Sequence, residues 1–169
     1  MSDLLKAAQR SLNIDSVNLR QSTILVGDEV DPPLIDRSAT VVQSFRNVSK
    51  IKITTLTDDK DNEVWDYRYL YAAGMRLIFE SDLEENVSLE NFIPLFEVAA
   101  IFEAKYFSKR ELSKEESKEF ASSSVGYHVW PYWREHVHSS CTKVGLNPVL
   151  EVPFYFMPCN DKNEDESKN

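Results

Sequence analysis

The chain has 169 residues, 42% hydrophobic and 11% aromatic, with four glycines and a formal net charge of −9. This composition suits one globular domain, and the scarcity of glycine argues against repeats, phosphate-cradling loops and flexible linkers. An acidic balance with no basic cluster argues against direct nucleic-acid binding, and no run approaches the roughly 20 apolar residues that cross a bilayer.

Residues 2–12 are expected to form a short helix. Ser2 stands as its cap, and Leu4, Leu5, Ala8 and Leu12 share one side at helical spacing. Charges run through this segment and no apolar leader core interrupts them, so a cytoplasmic location is expected. In that setting Cys141 and Cys159 are expected as free thiols.

Four strands are expected at 14–27, 39–57, 64–80 and 95–108. Pro32-Pro33 cannot join a ladder, so 28–36 is expected as a crossing loop. A polar hairpin loop spans 57–63 and a longer acidic loop spans 81–94. In the third strand Trp65, Tyr67, Tyr69, Tyr71, Ala73, Met75, Leu77 and Phe79 alternate without a break. In the fourth, Phe96, Val98, Ala100, Phe102, Ala104 and Tyr106 do the same. A sheet with one wet face alternates cleanly. Here the second face is only half polar, carrying Leu70, Ala72, Ile78, Ala99 and Ile101 among its charges. Something is expected to cover part of it, and a second copy of the sheet is one candidate.

Beyond the strands the period changes. Ser113 and Glu116 form a capping box that opens a helix over about 114–126. Pro131 is expected at the first position of a second helix. Trp133, Val137, Cys141 and Val144 then line one side, Gly145 ends the helix in a left-handed conformation and Pro148 prevents its resumption. Residues 149–158 read as a last extended segment. A single domain over 1–158 and a polar, disordered tail over 159–169 are expected.

Catalytic chemistry finds no support. His136 and His138 lie two apart on a helix, pointing in nearly opposite directions, so they do not share a metal ion. Cys141 and His136 lack the spacing and the oriented base of a nucleophile pair. No dinucleotide fingerprint, phosphate loop or nucleophile elbow occurs. The chain is expected not to be an enzyme and to need no cofactor. What remains is a large amount of aromatic surface for two helices to bury, and exposed apolar patches mark interaction sites.

The run "VWPYWREHVHSSCTKVGLNPVLEVPFYF" (129–156) resembles the signature of the SecB family of export chaperones: an aromatic-Pro-Tyr-x-Arg-Glu helix start, then Gly and Pro, then Leu-x-x-Pro-x-x-Phe. Trp130, Pro131, Tyr132, Arg134, Glu135, Gly145, Pro148, Leu150, Pro153 and Phe156 fill those slots. "FEVAAIFEAKYF" (96–107) extends the likeness backward more loosely. The resemblance implies an α+β fold: a four-stranded antiparallel sheet with two C-terminal helices on one face, preceded here by the short N-terminal helix. It implies an ATP-independent holdase, assembled as a dimer or a dimer of dimers, that binds unfolded polypeptides in hydrophobic grooves. Export members pass clients to the SecA motor, using their tail and an acidic sheet surface, and other members protect an antitoxin. The tail of this chain does not match the export pattern. Clients are expected to meet Leu34, Ile35, Phe102, Tyr106, Trp130 and Trp133. Pro131, Tyr132, Arg134, Glu135 and Gly145 are the structural motif, with Arg134-Glu135 expected to fix the helix start by ion pairs or subunit contacts. The alternative is a small ligand-binding or enzymatic α+β domain with an enclosed apolar pocket.

Overall fold

A computed structural model describes residues 2–57, 60–83 and 94–155. The expected tail at 159–169, Cys159, the end of the last extended segment, the tip of the hairpin loop and most of the acidic loop lie outside the described residues.

Helix α1 (Asp3–Ser11) begins as the sequence implies: the Ser2 hydroxyl accepts from the Leu5 amide at 3.2 Å. Leu5, Ala8 and Leu12 are buried, whereas Leu4 turns outward. A nine-residue helix is marginal alone; this one is held by the end of the next helix and its lead-in. Ser2 donates to Glu119 and Gln9 to Ser124, and Arg110 donates to the Ser11 hydroxyl.

Four antiparallel strands follow: β1 (Asn13–Val26), β2 (Thr40–Thr57), β3 (Glu63–Phe79) and β4 (Phe96–Ser108). Their order in the sheet is β1-β4-β3-β2. The aromatic-rich β3 and β4 therefore take the middle, and the more polar β1 and β2 take the edges. The β1–β2 connection crosses from one edge to the other, and its Pro32-Pro33 forms a 3-10 turn (Pro32–Leu34). Pro33 packs where a Cβ on Gly145 would stand, 3.3 Å away, and Arg37 donates to the Pro148 carbonyl at 3.0 Å. The crossing thus runs past the C-terminal end of the helix that covers the sheet.

That helix is a single rod. Segments α2 (Lys114–Phe120), a π turn (Ala121–Val125) and α3 (Gly126–Lys143) follow without a break. The capping box is formed as expected: the Ser113 hydroxyl accepts from the Glu116 amide and the Glu116 carboxylate accepts from the Ser113 amide. The separation expected at Pro131 does not occur, and Pro131 lies inside α3. The buried stripe explains the π turn. Val125, Val129, Trp133, Val137 and Cys141 are buried at a strict spacing of four, but Phe120 and Val125 are five apart. One extra residue in the turn keeps Phe120 on the face that carries the rest. Gly145 ends the rod at φ +76°, with its amide on the Thr142 carbonyl and the Leu146 amide on the Cys141 carbonyl. This is a Schellman closure.

The core lies between this rod and the β3–β4 face. Tyr69, Tyr106 and Phe120 form a triangle with centroids 5.1–5.7 Å apart. Buried hydroxyls need partners, and the rod and its lead-in supply them. Tyr69 meets Ser117 at 3.1 Å, Tyr106 meets His128 Nδ1 at 2.9 Å, and Tyr67 accepts from the Leu112 amide at 2.7 Å. Burial pushes Tyr69 up to about 12 and raises Tyr106 further. Cys141 is a buried free thiol.

Candidate functional site

The rod is narrower than the sheet. On one flank it reaches β1 through a 2.8 Å contact between His136 Nε2 and the Ser22 hydroxyl. On the other it reaches β2 where the Arg46 guanidinium lies 4.9 Å from the Trp130 ring. The outer parts of both edge strands remain uncovered. Strand register places Ile14, Leu19 and Ile24 of β1 on the rod side of the sheet, and they are 48%, 48% and 39% exposed. Val42 and Ile53 of β2 are likewise exposed on that side. Leu34, in the crossing loop, is 78% exposed.

The six residues expected to meet clients divide sharply. Leu34 presents its side chain to solvent, and Ile35 is partly buried against the core. Phe102, Tyr106, Trp130 and Trp133 are inside the core. They lie between the rod and the central strands, where large aromatic side chains contribute most by leaving water. The aromatic surface that looked too large to bury is therefore mostly buried. On the rod side of the sheet, the apolar surface left open on the edge strands is aliphatic, at Ile14, Leu19, Ile24, Val42 and Ile53. Sequence reasoning missed Ile14, Leu19 and Ile24 because bulges at Ile14/Ser16 and Leu19/Gln21 break the alternation of β1.

The motif residues also take specific places. Tyr132 is half exposed and Pro131 is exposed. The Arg134 guanidinium lies 4.7 Å from the Phe154 ring, and among the described residues Arg134 and Glu135 form no ion pair. Within the chain, Arg134 thus meets the C-terminal segment through a cation–π contact and not an ion pair.

Among the described residues are surface depressions, two of which are open to solvent and are not enclosed apolar chambers. One, of about 310 Å³, lies beside Phe45 and Gly74 on the open face of the sheet. The other, of about 400 Å³, lies where α1, β1 and the rod meet, between Ile14 and His128. Among the described residues no cluster of metal-ligating side chains occurs, and no helix is long and apolar enough to cross a membrane.

No family model matches the sequence, and no curated protein matches it either. Among solved structures, the chain is similar to a SecB-like chaperone of Mycobacterium tuberculosis in complex with a ChAD peptide from the HigA1 antitoxin. The TM-score is 0.61 at 14% sequence identity, covering 94% of this chain and 100% of that one. The chain thus has a SecB-like fold.

Proposed function

We propose that this protein is an ATP-independent holdase that binds extended, unfolded polypeptides along the aliphatic surface flanking its helical rod. The observation that carries the reading is the exposure of Leu34, Ile14, Leu19 and Ile24 beside a rod that covers only the middle of the sheet. The SecB-like fold, found in a chaperone complexed with an antitoxin peptide, supports it. Burying each such side chain contributes about 1.5–3 kcal/mol. Several weak sites repeated across subunits then give tight but sequence-tolerant binding. Phe102, Tyr106, Trp130 and Trp133 form the floor beneath this surface, and Leu34 with part of Ile35 forms its wall at the crossing loop. The working unit is a homo-oligomer, a dimer or a dimer of dimers, in the cytoplasm.

An antitoxin-like client fits better than the export route. Register and ion pairs put Arg20, Lys50, Lys52, Arg68, Arg76 and Lys105 on the open face of the sheet, against Asp15, Asp66, Glu97 and Glu103. In a chain of net charge −9, that face is not the acidic surface with which export members dock SecA.

The test is suppression of aggregation of a chemically unfolded client, without nucleotide, by the purified protein. A pull-down from the host, scored separately for SecA and for antitoxins, then assigns the client. If the parent protein leaves aggregation unchanged at several-fold molar excess, the holdase reading is wrong.

A further inference from the structure

The segment after the rod divides at Val152. Leu150 and Val152 are buried and anchor it. Beyond them Pro153, Phe154 and Tyr155 lie across the flank between the rod and β2. The indole Nε1–H of Trp130 donates to the Pro153 carbonyl at 2.7 Å. The Tyr155 ring meets the Trp130 ring edge-on at 5.3 Å, and the Arg46 guanidinium lies 4.6 Å from the Tyr155 ring. Phe154 is 72% exposed beneath Arg134.

Two features show that the flank is shaped for this occupant. A Cβ on Gly126 would stand 2.4 Å from the Tyr155 hydroxyl, so the glycine makes the slot. Gly126 itself has ordinary helical angles, φ −59° and ψ −39°, and the backbone does not require a glycine there. Nearby, the Tyr71 hydroxyl is buried with no hydrogen-bond partner among the described residues, and Arg46 and Tyr155 are the charged and polar groups that act on it. Yet the occupant is lightly held. Residues 153–155 belong to no strand, and among the described residues one hydrogen bond, from the Trp130 side chain to the Pro153 carbonyl, plus ring contacts secure them. Segments secured this way open at low free-energy cost.

We propose that Pro153–Tyr155 is a displaceable strap, occupying the β2-side groove in cis and competing there with client polypeptide. The inference rests on the holdase reading above. Lifting the strap frees the Trp130 indole N–H, one face of the Arg46 guanidinium and the slot over Gly126. Together these accept an extended backbone bearing an aromatic side chain.

Two variants of the full chain test this. Gly126→Ala fills the slot without touching the strap, and alanine is the better helix former. Tyr155→Ala removes the occupant. Both should stay folded and expose Trp130 more to acrylamide quenching. Tyr155→Ala, which leaves the slot open, should bind a labelled unfolded client roughly fivefold or more tighter than the parent, the scale of an ordinary coupling between sites. Gly126→Ala, which fills the slot, should show less of that gain or none. A synthetic peptide of residues 149–165 should displace client from Tyr155→Ala and fail to do so from the Gly126→Ala, Tyr155→Ala double variant. Client affinity of Tyr155→Ala equal to or below that of the parent overturns the strap. If no form captures any client, the holdase reading falls separately. Direct binding of the labelled peptide to Tyr155→Ala then decides the strap: slot-dependent binding supports it and no binding overturns it.

Discussion

The ring of Phe45 on β2 fills the space over Gly74 on β3: a Cβ at position 74 would stand 2.2 Å from Phe45 Cε1. The two residues are direct cross-strand partners on the open face of the sheet. The aromatic ring covers backbone that the glycine leaves bare, yet Phe45 itself remains 57% exposed. Gly74→Ala should therefore swing the ring outward and not break the strand pair. A cost of about 0.2–1 kcal/mol is expected, the range of cross-strand pairs. Phe45→Ala should cost a similar amount, and the double variant much less than the sum. Urea denaturation of the four proteins in a cycle checks this; additive losses would show that ring and glycine act independently.

Stability should fall with acid in two windows. Burial lowers His128 and His136 below the ordinary value of 6.5. The unfolded chain then takes up those protons first. Stability is complete above about pH 6.5 and declines as pH falls from there toward the folded values. The Arg110 guanidinium, with the Ser113 amide next, holds Glu116 below its ordinary 4.5. Its contribution persists above that value and is lost only as pH falls through the lowered one. Replacing both histidines by glutamine should flatten the first window and leave the second. Arg110→Gln should do the reverse. Denaturation midpoints measured from pH 8 to pH 3 give the answer, and a single unbroken slope in all three proteins would contradict it.

Strong patterns were legible in the sequence and compensated ones were not. All four strands were placed within a residue; in β3 and β4 the unbroken alternation did this, because deep burial of one face under the rod leaves the apolar side chains only one parity. Ser2, the Ser113–Glu116 box and Gly145 marked helix ends because each supplies a partner or a backbone angle that a helix terminus needs. Pro131 misled because its missing N–H is harmless at a helix start and costly within one. Nothing local announces that packing of Val129, Trp133 and Val137 on the sheet carries the helix through it. The groove was hidden for a different reason. Arg46 and Gly126 carry no pattern alone, and their meaning comes from Tyr155, distant from both in sequence. Gly126 still offered a signal, being a glycine inside a helical stretch of a glycine-poor chain.

The free edge of β1 should join a second copy. An edge strand exposes unpaired main-chain groups along its length, and pairing through those of β1 leaves Ile14, Leu19 and Ile24 on the rod-side face. Sedimentation or small-angle scattering at micromolar concentration is expected to show at least a dimer. Leu19→Lys places a charge in the middle of that edge and should shift the population toward monomer without lowering the melting temperature of the dilute protein. A parent that stays monomeric at every concentration would remove β1 as an interface.

Leu34 and Trp133 should separate binding from folding. Leu34 is 78% exposed and Trp133 only 1% exposed, beneath the rod. Leu34→Ser is expected to change stability by no more than about 0.5 kcal/mol, as surface substitutions do. It should nonetheless weaken suppression of client aggregation, because it removes the most exposed aliphatic side chain at the crossing loop. Ile35 is the poorer probe, since it packs partly against the core. Trp133→Ala should cost about 3–5 kcal/mol as the cavity opens. Any loss of client binding there would follow unfolding in a denaturation series. The two effects are told apart by measuring client protection at a temperature where both variants are folded. If Leu34→Ser then protects as well as the parent, the crossing loop is not part of the client surface, and the edge strands must supply it.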